Sequence, residues 1–138
     1  MKVNVSYWDL ALALRGFIIS EYLKYHGPTD AKAGVSLVHY AFKYNFSDRT
    51  RPIPGKTLRD WLKNGVAPQW AIKSMVCYIL EHGFIPNNDD ELIAIIVYLV
   101  IDENEDNIFD IKNMHLLKGL DSEEINNIFK KIRHAESF

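Results

Sequence analysis

The chain has 138 residues, 48% of them apolar and 12% aromatic, which is enough for a real core and excludes a wholly disordered protein. Its single cysteine, Cys77, sits between apolar neighbours and cannot form an internal disulfide, which excludes a secreted disulfide framework and points to a reducing, cytoplasmic setting. The net charge is −2; the longest apolar run, Leu92 to Ile101, is half the ~20 residues that cross a bilayer, so no membrane span is expected, and no signal peptide is expected because Asp9, Arg15 and Glu21 interrupt the N-terminal helix.

Ser6 with Asp9 three residues on reads as a capping box. It opens a first helix through Trp8, Leu12, Phe17 and Leu23 that stops before Gly27-Pro28. Apolar residues lie on more than one face of this helix, so Tyr7, Trp8, Phe17, Tyr22 and Tyr25 are expected to be core. A second helix is expected from about Asp30 to Tyr44, with Val35, Val38 and Phe42 at helical spacing. The polar, basic stretch Asn45 to Pro54 follows, where Pro52 and Pro54 favour an extended arm.

A short third helix is expected over Lys56 to Lys63, stopped by Asn64-Gly65. Pro68 suits the first turn of a fourth, running through Trp70, Ile72, Met75 and Ile79 to Gly83. Asn88 and Glu91 form a second capping box for a fifth helix to Ile101. Its β-branched run would also suit a buried strand, but the caps and the lack of a second strand favour helix. A sixth helix is expected near Ile108 to Lys118, and Asp121 with Glu124 caps a seventh, with the stripe Ile125, Ile128, Phe129 and Ile132. The expected class is all-α: a helix-turn-helix-like domain over residues 1–86 carrying an acidic helical subdomain over 87–138.

Charge is divided along the chain. Lys43, Arg49, Arg51, Lys56, Arg59, Lys63 and Lys73 face only Asp48 and Asp60 between residues 43 and 73, whereas thirteen acids face five bases from Ser74 onward. A basic middle beside an acidic C-terminal part is the pattern of a nucleic-acid face backed by a different surface. On the third helix, at 100° per residue, Leu58, Trp61 and Leu62 share one arc, and Lys56, Arg59 and Lys63 cluster opposite. Thr57 lies at the edge of the basic arc. An apolar arc seated on the core would leave the basic arc outward, the geometry by which a short helix reads a major groove.

The stretch Ile53-Pro54-Gly55-Lys56-Thr57-Leu58-Arg59-Asp60-Trp61-Leu62-Lys63-Asn64-Gly65, followed by Pro68-Gln69-Trp70-Ala71, resembles small helix-turn-helix proteins of phages and prophages. The resemblance covers about twenty residues. It implies that Lys56 to Lys63 is the recognition helix, that residues 31–44 form the helix before it, and that the partner is double-stranded DNA. Lys56, Thr57, Arg59 and Lys63 are then the groove and phosphate contacts, with Arg49 and Arg51 adding backbone contacts from the arm. The sequence departs from the family in one place, since residues 45–54 replace a turn of 3 to 4 residues.

Other constellations are weaker. Asp102, Asn104, Asp106 and Asp110 have calcium-loop spacing, but Asn107 replaces the turn glycine and Asn113 the closing glutamate. His26, His39, His82, His115 and His134 show no zinc spacing, and no nucleophile elbow or phosphate loop is present, so neither catalysis nor a cofactor is expected. The competing reading is a protein-interaction module whose acidic C-terminal surface engages a basic partner. A homodimer is also expected, with the C-terminal helices rather than the N-terminal ones at its interface; the stripe of the seventh helix would either serve there or close the chain's own core.

Overall fold

The computed structural model describes residues 5–27, 30–101 and 114–134. The class is all-α: among the described residues there are helices and turns but no strand. Two compact units are present, residues 14–83 and residues 1–13 together with 84–138. From the sequence the boundary is expected after residue 86, with the whole first helix on the side of the basic residues. Only the part of that helix over residues 5–13 groups with the C-terminal residues instead, because its packing partner lies there.

In that unit, α1 (Val5–Ala13) packs along α6 (Asp89–Val100), and α7 (Ser122–His134) packs on α6 as well. Every side chain from Leu92 to Val100 is buried, which is why the β-branched run carries no exposed face. Helix rather than strand forms here because the N-terminus is capped. The Asn88 side chain accepts the Glu91 amide at 2.9 Å, and the Glu91 carboxylate accepts the Asn87 amide at 3.0 Å. Asp121 caps α7 likewise, accepting the Glu123 and Glu124 amides at 2.9 and 3.3 Å.

The stripe of α7 is taken up by the chain itself. Ile125, Ile128 and Ile132 are buried, and Phe129 is half-buried, so this stripe is not left available as the dimer surface for which it was the candidate. A short 3-10 helix, Met114–Leu117, precedes it. The rest of the expected sixth helix, and the calcium-like loop, lie outside the described residues.

The single first helix expected from Ser6 to Gly27 is two helices. Leu14 leaves helical geometry at φ −93°, ψ 8°, and α2 (Arg15–His26) follows; Ser6 lies inside α1 rather than at its cap. The second unit consists of α2, α3 (Asp30–Lys43), α4 (Gly55–Asn64) and α5 (Gln69–Glu81). Helices α2 and α3 both pack on α5, and α4 lies against α2 and α3. The buried face of α3 is Ala33, Leu37, Val38 and Ala41, whereas Val35 and Phe42, expected inside, are exposed, Phe42 at 72%. Helix α5 is buried from Ala71 to Ile79. Tyr22 ties α2 to α3, its hydroxyl donating to the Ala33 carbonyl at 2.6 Å in the interior.

Candidate nucleic-acid interface

The base of the site is the end of α3. Asn45, at φ 60°, takes the left-handed conformation that asparagine tolerates, and the Phe46 amide donates back to the Ala41 carbonyl at 2.8 Å. The helix is thereby closed and the chain turned into the arm, residues 45–54. Along the arm the Arg49 amide donates to the Ser47 hydroxyl at 3.1 Å, and the Arg49 guanidinium stands 5.8 Å from the centre of the Trp70 ring. At the far end Ile53 is buried, and its amide donates to the Gly34 carbonyl of α3 at 3.3 Å. Pro54, at φ −60°, ψ 145°, then leads into α4. The arm is therefore attached to the helices at both ends.

Helix α4 seats on the unit through one residue above all. Leu58 is fully buried, and Trp61 is half-buried with its ring 6.5 Å from Trp70 in an edge-on arrangement. Leu62, expected on the inward arc, is 41% exposed; it falls at the edge of that arc, away from Trp61. Gly65, at φ 67°, ψ 26°, stops the helix as expected, its amide donating to the Trp61 carbonyl at 2.8 Å.

Burial withdraws one of the seven bases of this stretch, and an ion pair engages a second, which is itself exposed. Lys73 is withdrawn from the surface at 3% exposure, its ammonium 4.8 Å from the centre of the Phe46 ring. Lys43 pairs with Glu81 at 3.1 Å and lies over the rings of Tyr40 and Tyr44. The remaining five, Arg49, Arg51, Lys56, Arg59 and Lys63, are all exposed. Those are the five bases singled out from the sequence; Thr57, the sixth candidate, is only partly exposed. Lys73 falls within the continuously apolar stretch Ala71 to Ile79, interrupted only by itself and Ser74, a signal that it belongs to the interior.

Sequence reasoning did not find the aromatic supports. Trp70 carries Arg49 and meets Trp61, so one indole links the arm to α4. Trp70 follows the turn at residues 65–68, whereas Arg49 precedes α4, and no local pattern joins them.

A second cluster lies on α2, α3 and α5. Tyr78 stacks on His82 at 3.9 Å and meets Tyr22, Tyr40 and His26 at 5.0, 5.1 and 5.4 Å. The hydroxyl of Tyr44 donates to Glu81. Burial holds the phenols of Tyr22, Tyr40, Tyr44 and Tyr78 above their usual range, so they stay protonated and neutral at physiological pH. Burial likewise pushes the Cys77 thiol up to about 12, against a smaller opposing pull from Lys73, which fits an inert packing role. His26 is lowered, first by burial and then by the neighbouring His82 and Lys32. The cluster offers packing and a titrating imidazole rather than an activated nucleophile.

The acidic unit has a cavity of 440 Å³ at the N-termini of α6 and α7, lined by Ile85, Leu92, Leu120 and the polar groups of Asn88, Asp121 and Glu124 among others. Asn88 and Asp121 are the caps already described, and Glu124 shares a hydrogen bond with Asp89 that raises its carboxyl above the usual range. The polar rim is thus built largely by helix capping. Among the described residues no three His, Cys, Asp or Glu side chains are grouped to hold a metal ion, and no helix is long and apolar enough to cross a membrane. No protein family, curated protein or solved structure matches this chain, so the interface stands on its residues alone.

Proposed function

We propose that this protein is a non-enzymatic DNA-binding regulator of the phage or mobile-element type, with α4 as the helix that enters the major groove of double-stranded DNA. One observation carries the reading: Lys56, Arg59 and Lys63 stand exposed on a short helix whose opposite side is fixed by the fully buried Leu58. A base-reading side chain must come from a rigid support, and an anchored helix of ten residues supplies one. Arg59 is the groove contact, Lys56 and Lys63 hold phosphates on either side, and Arg49 and Arg51 add phosphates from the arm. The helix before α4 is α3, which packs on it although residues 44–54 intervene. The α4–α5 pair has the shorter turn, residues 65–68, but α5 is buried over Ala71 to Ile79 and has no face for a groove.

Selection of the full chain against a pool of randomised duplexes tests the proposal. Enrichment of a short common sequence, weakened when Arg59 is replaced by Ala, supports it. A pool that remains random after several rounds, with no salt-sensitive retention, sinks it.

A further inference from the structure

Gly34 lies in the middle of α3, where glycine is less favourable than alanine by about 1 kcal/mol, and nothing about the helix itself asks for it. The reason lies across the chain. A Cβ built on Gly34 would stand 1.8 Å from the Ile53 carbonyl oxygen and 2.9 Å from its carbon, both backbone atoms that cannot swing away. The Ile53 amide donates to the Gly34 carbonyl at 3.3 Å, and the Ile53 side chain is 2% exposed. The prolines on either side, Pro52 and Pro54, restrict the backbone of that segment and donate no hydrogen bonds of their own. One backbone hydrogen bond and one buried side chain therefore fix the end of the arm to α3, at the only kind of residue that admits so close an approach.

We infer that Gly34 is a positioning residue for the DNA interface: it seats Ile53 on α3 and so sets where Arg49 and Arg51 stand beside α4. The inference rests on the DNA reading for its functional consequence, though the seating itself is a property of the free protein. Residues 51–54 run straight from Arg51 into α4, so a displaced Ile53 moves Arg51 directly. At its other end the arm is held by the Arg49–Trp70 contact, which a shifted arm would also lose.

The test uses the full chain with Gly34→Ala and, separately, Ile53→Ala, which loosens the same seat without inserting bulk into α3. Two readouts are taken beside helical content. Limited trypsin digestion, followed by mass spectrometry, reads opening of the arm at the Arg49–Thr50 bond. Cleavage there is expected to rise about tenfold or more, since cutting tracks the open population. Titration of a random duplex at two salt concentrations reads the phosphate contacts. The slope of log affinity on log salt is expected to fall by about 1.8, the contribution of two bases at about 0.9 each. A general loss of stability would lower affinity and leave that slope intact.

If Gly34→Ala loses its helical content, Ile53→Ala carries both readouts. Wild-type cleavage at Arg49 together with an unchanged slope in the folded variant overturns the inference. A wild-type chain that shows no salt-sensitive binding overturns the DNA reading instead, and the seating of Ile53 then stands or falls on the cleavage alone.

Discussion

The guanidinium of Arg49 lies 5.8 Å from the centre of the Trp70 ring, and Trp70 in turn meets Trp61 of α4. A cation from the arm is thus held over an aromatic that also abuts the proposed recognition helix. Such a contact adds about 0.5–1 kcal/mol at an exposed site, enough to bias where the arm rests and weak enough to yield to a phosphate.

Arg49→Gln is accordingly expected to weaken binding to every duplex by a similar factor and to lower the salt slope by about 0.9. Arg59→Gln is expected to lower the slope by a similar amount and, in addition, to shrink the preference for the selected sequence over random duplex, by about 1–3 kcal/mol if it reads a base edge. Competition titrations with the two duplexes separate these outcomes. An Arg59 variant that discriminates as well as the wild type contradicts its assigned role.

Gly65→Ala is expected to destabilise the protein by about 1–2 kcal/mol, because the left-handed conformation at φ 67° costs a residue with a Cβ about that much. Space is not the obstacle. The nearest atom to an added Cβ is the Gly16 Cα at 3.9 Å, an ordinary contact. Urea denaturation measures the change, and Gly65→Asn is expected to lose less than Gly65→Ala. Equal losses would indicate that crowding rather than backbone conformation sets the requirement.

Tyr98→Phe tests the other unit. The Tyr98 hydroxyl donates to the Ala11 carbonyl at 2.9 Å in the interior, in the last turn of α1, where helical donors run out. Its removal is expected to cost about 0.5–1.5 kcal/mol, with the ring packing against Trp8 retained. An unchanged urea midpoint would show that the carbonyl finds another donor.

Much of this arrangement was legible along the chain. The capping boxes at Asn88 and Asp121, the glycine stop at Gly65 and the prolines of the arm are local devices, and each marks a real boundary. Lys56, Arg59 and Lys63 were legible because the helical period separates them from Leu58, and Arg49 and Arg51 because they stand in a polar stretch closed by prolines. What escaped is set by contacts distant in sequence. The break at Leu14 has no proline, and the nearest local sign, Gly16, faces Gly65, with only 3.4 Å between an added Cβ and the Gly65 Cα. On α3 the helical spacing places Val38 and Ala41 correctly inside, but Val35 and Phe42 are exposed, and Ala33 and Leu37 complete the buried face instead. Gly34 itself looks unremarkable until Ile53 is placed on it.

His26 sets a pH dependence with a definite sign. Its Nδ1 is buried without a hydrogen-bond partner, and its ring packs beside Tyr22 and Tyr78 with His82 and Lys32 nearby. Burial first, and then the neighbouring His82 and Lys32, lower its pKa below that of the unfolded chain, about 6.5. Between the two values the unfolded chain binds more protons, so stability from this group is present above about pH 6.5 and is lost as pH falls through the folded-state pKa. His26→Phe, which keeps the aromatic contacts, is expected to show a smaller drop in urea midpoint between about pH 7.5 and about pH 5 than the wild type. Identical drops would remove His26 as the cause.

Five exposed bases on α4 and its arm are proposed to bind duplex phosphate and bases. Titration of the full chain on duplex DNA between about 50 and about 200 mM salt tests this binding most directly. If each of the five neutralises one phosphate, the slope is about −4.5 and affinity falls about 500-fold over that range. Replacing Lys56, Arg59 and Lys63 together by Gln is expected to bring the slope to about −1.8, the share of Arg49 and Arg51. Binding that is absent at micromolar protein in low salt, or that is indifferent to those three substitutions, contradicts the account.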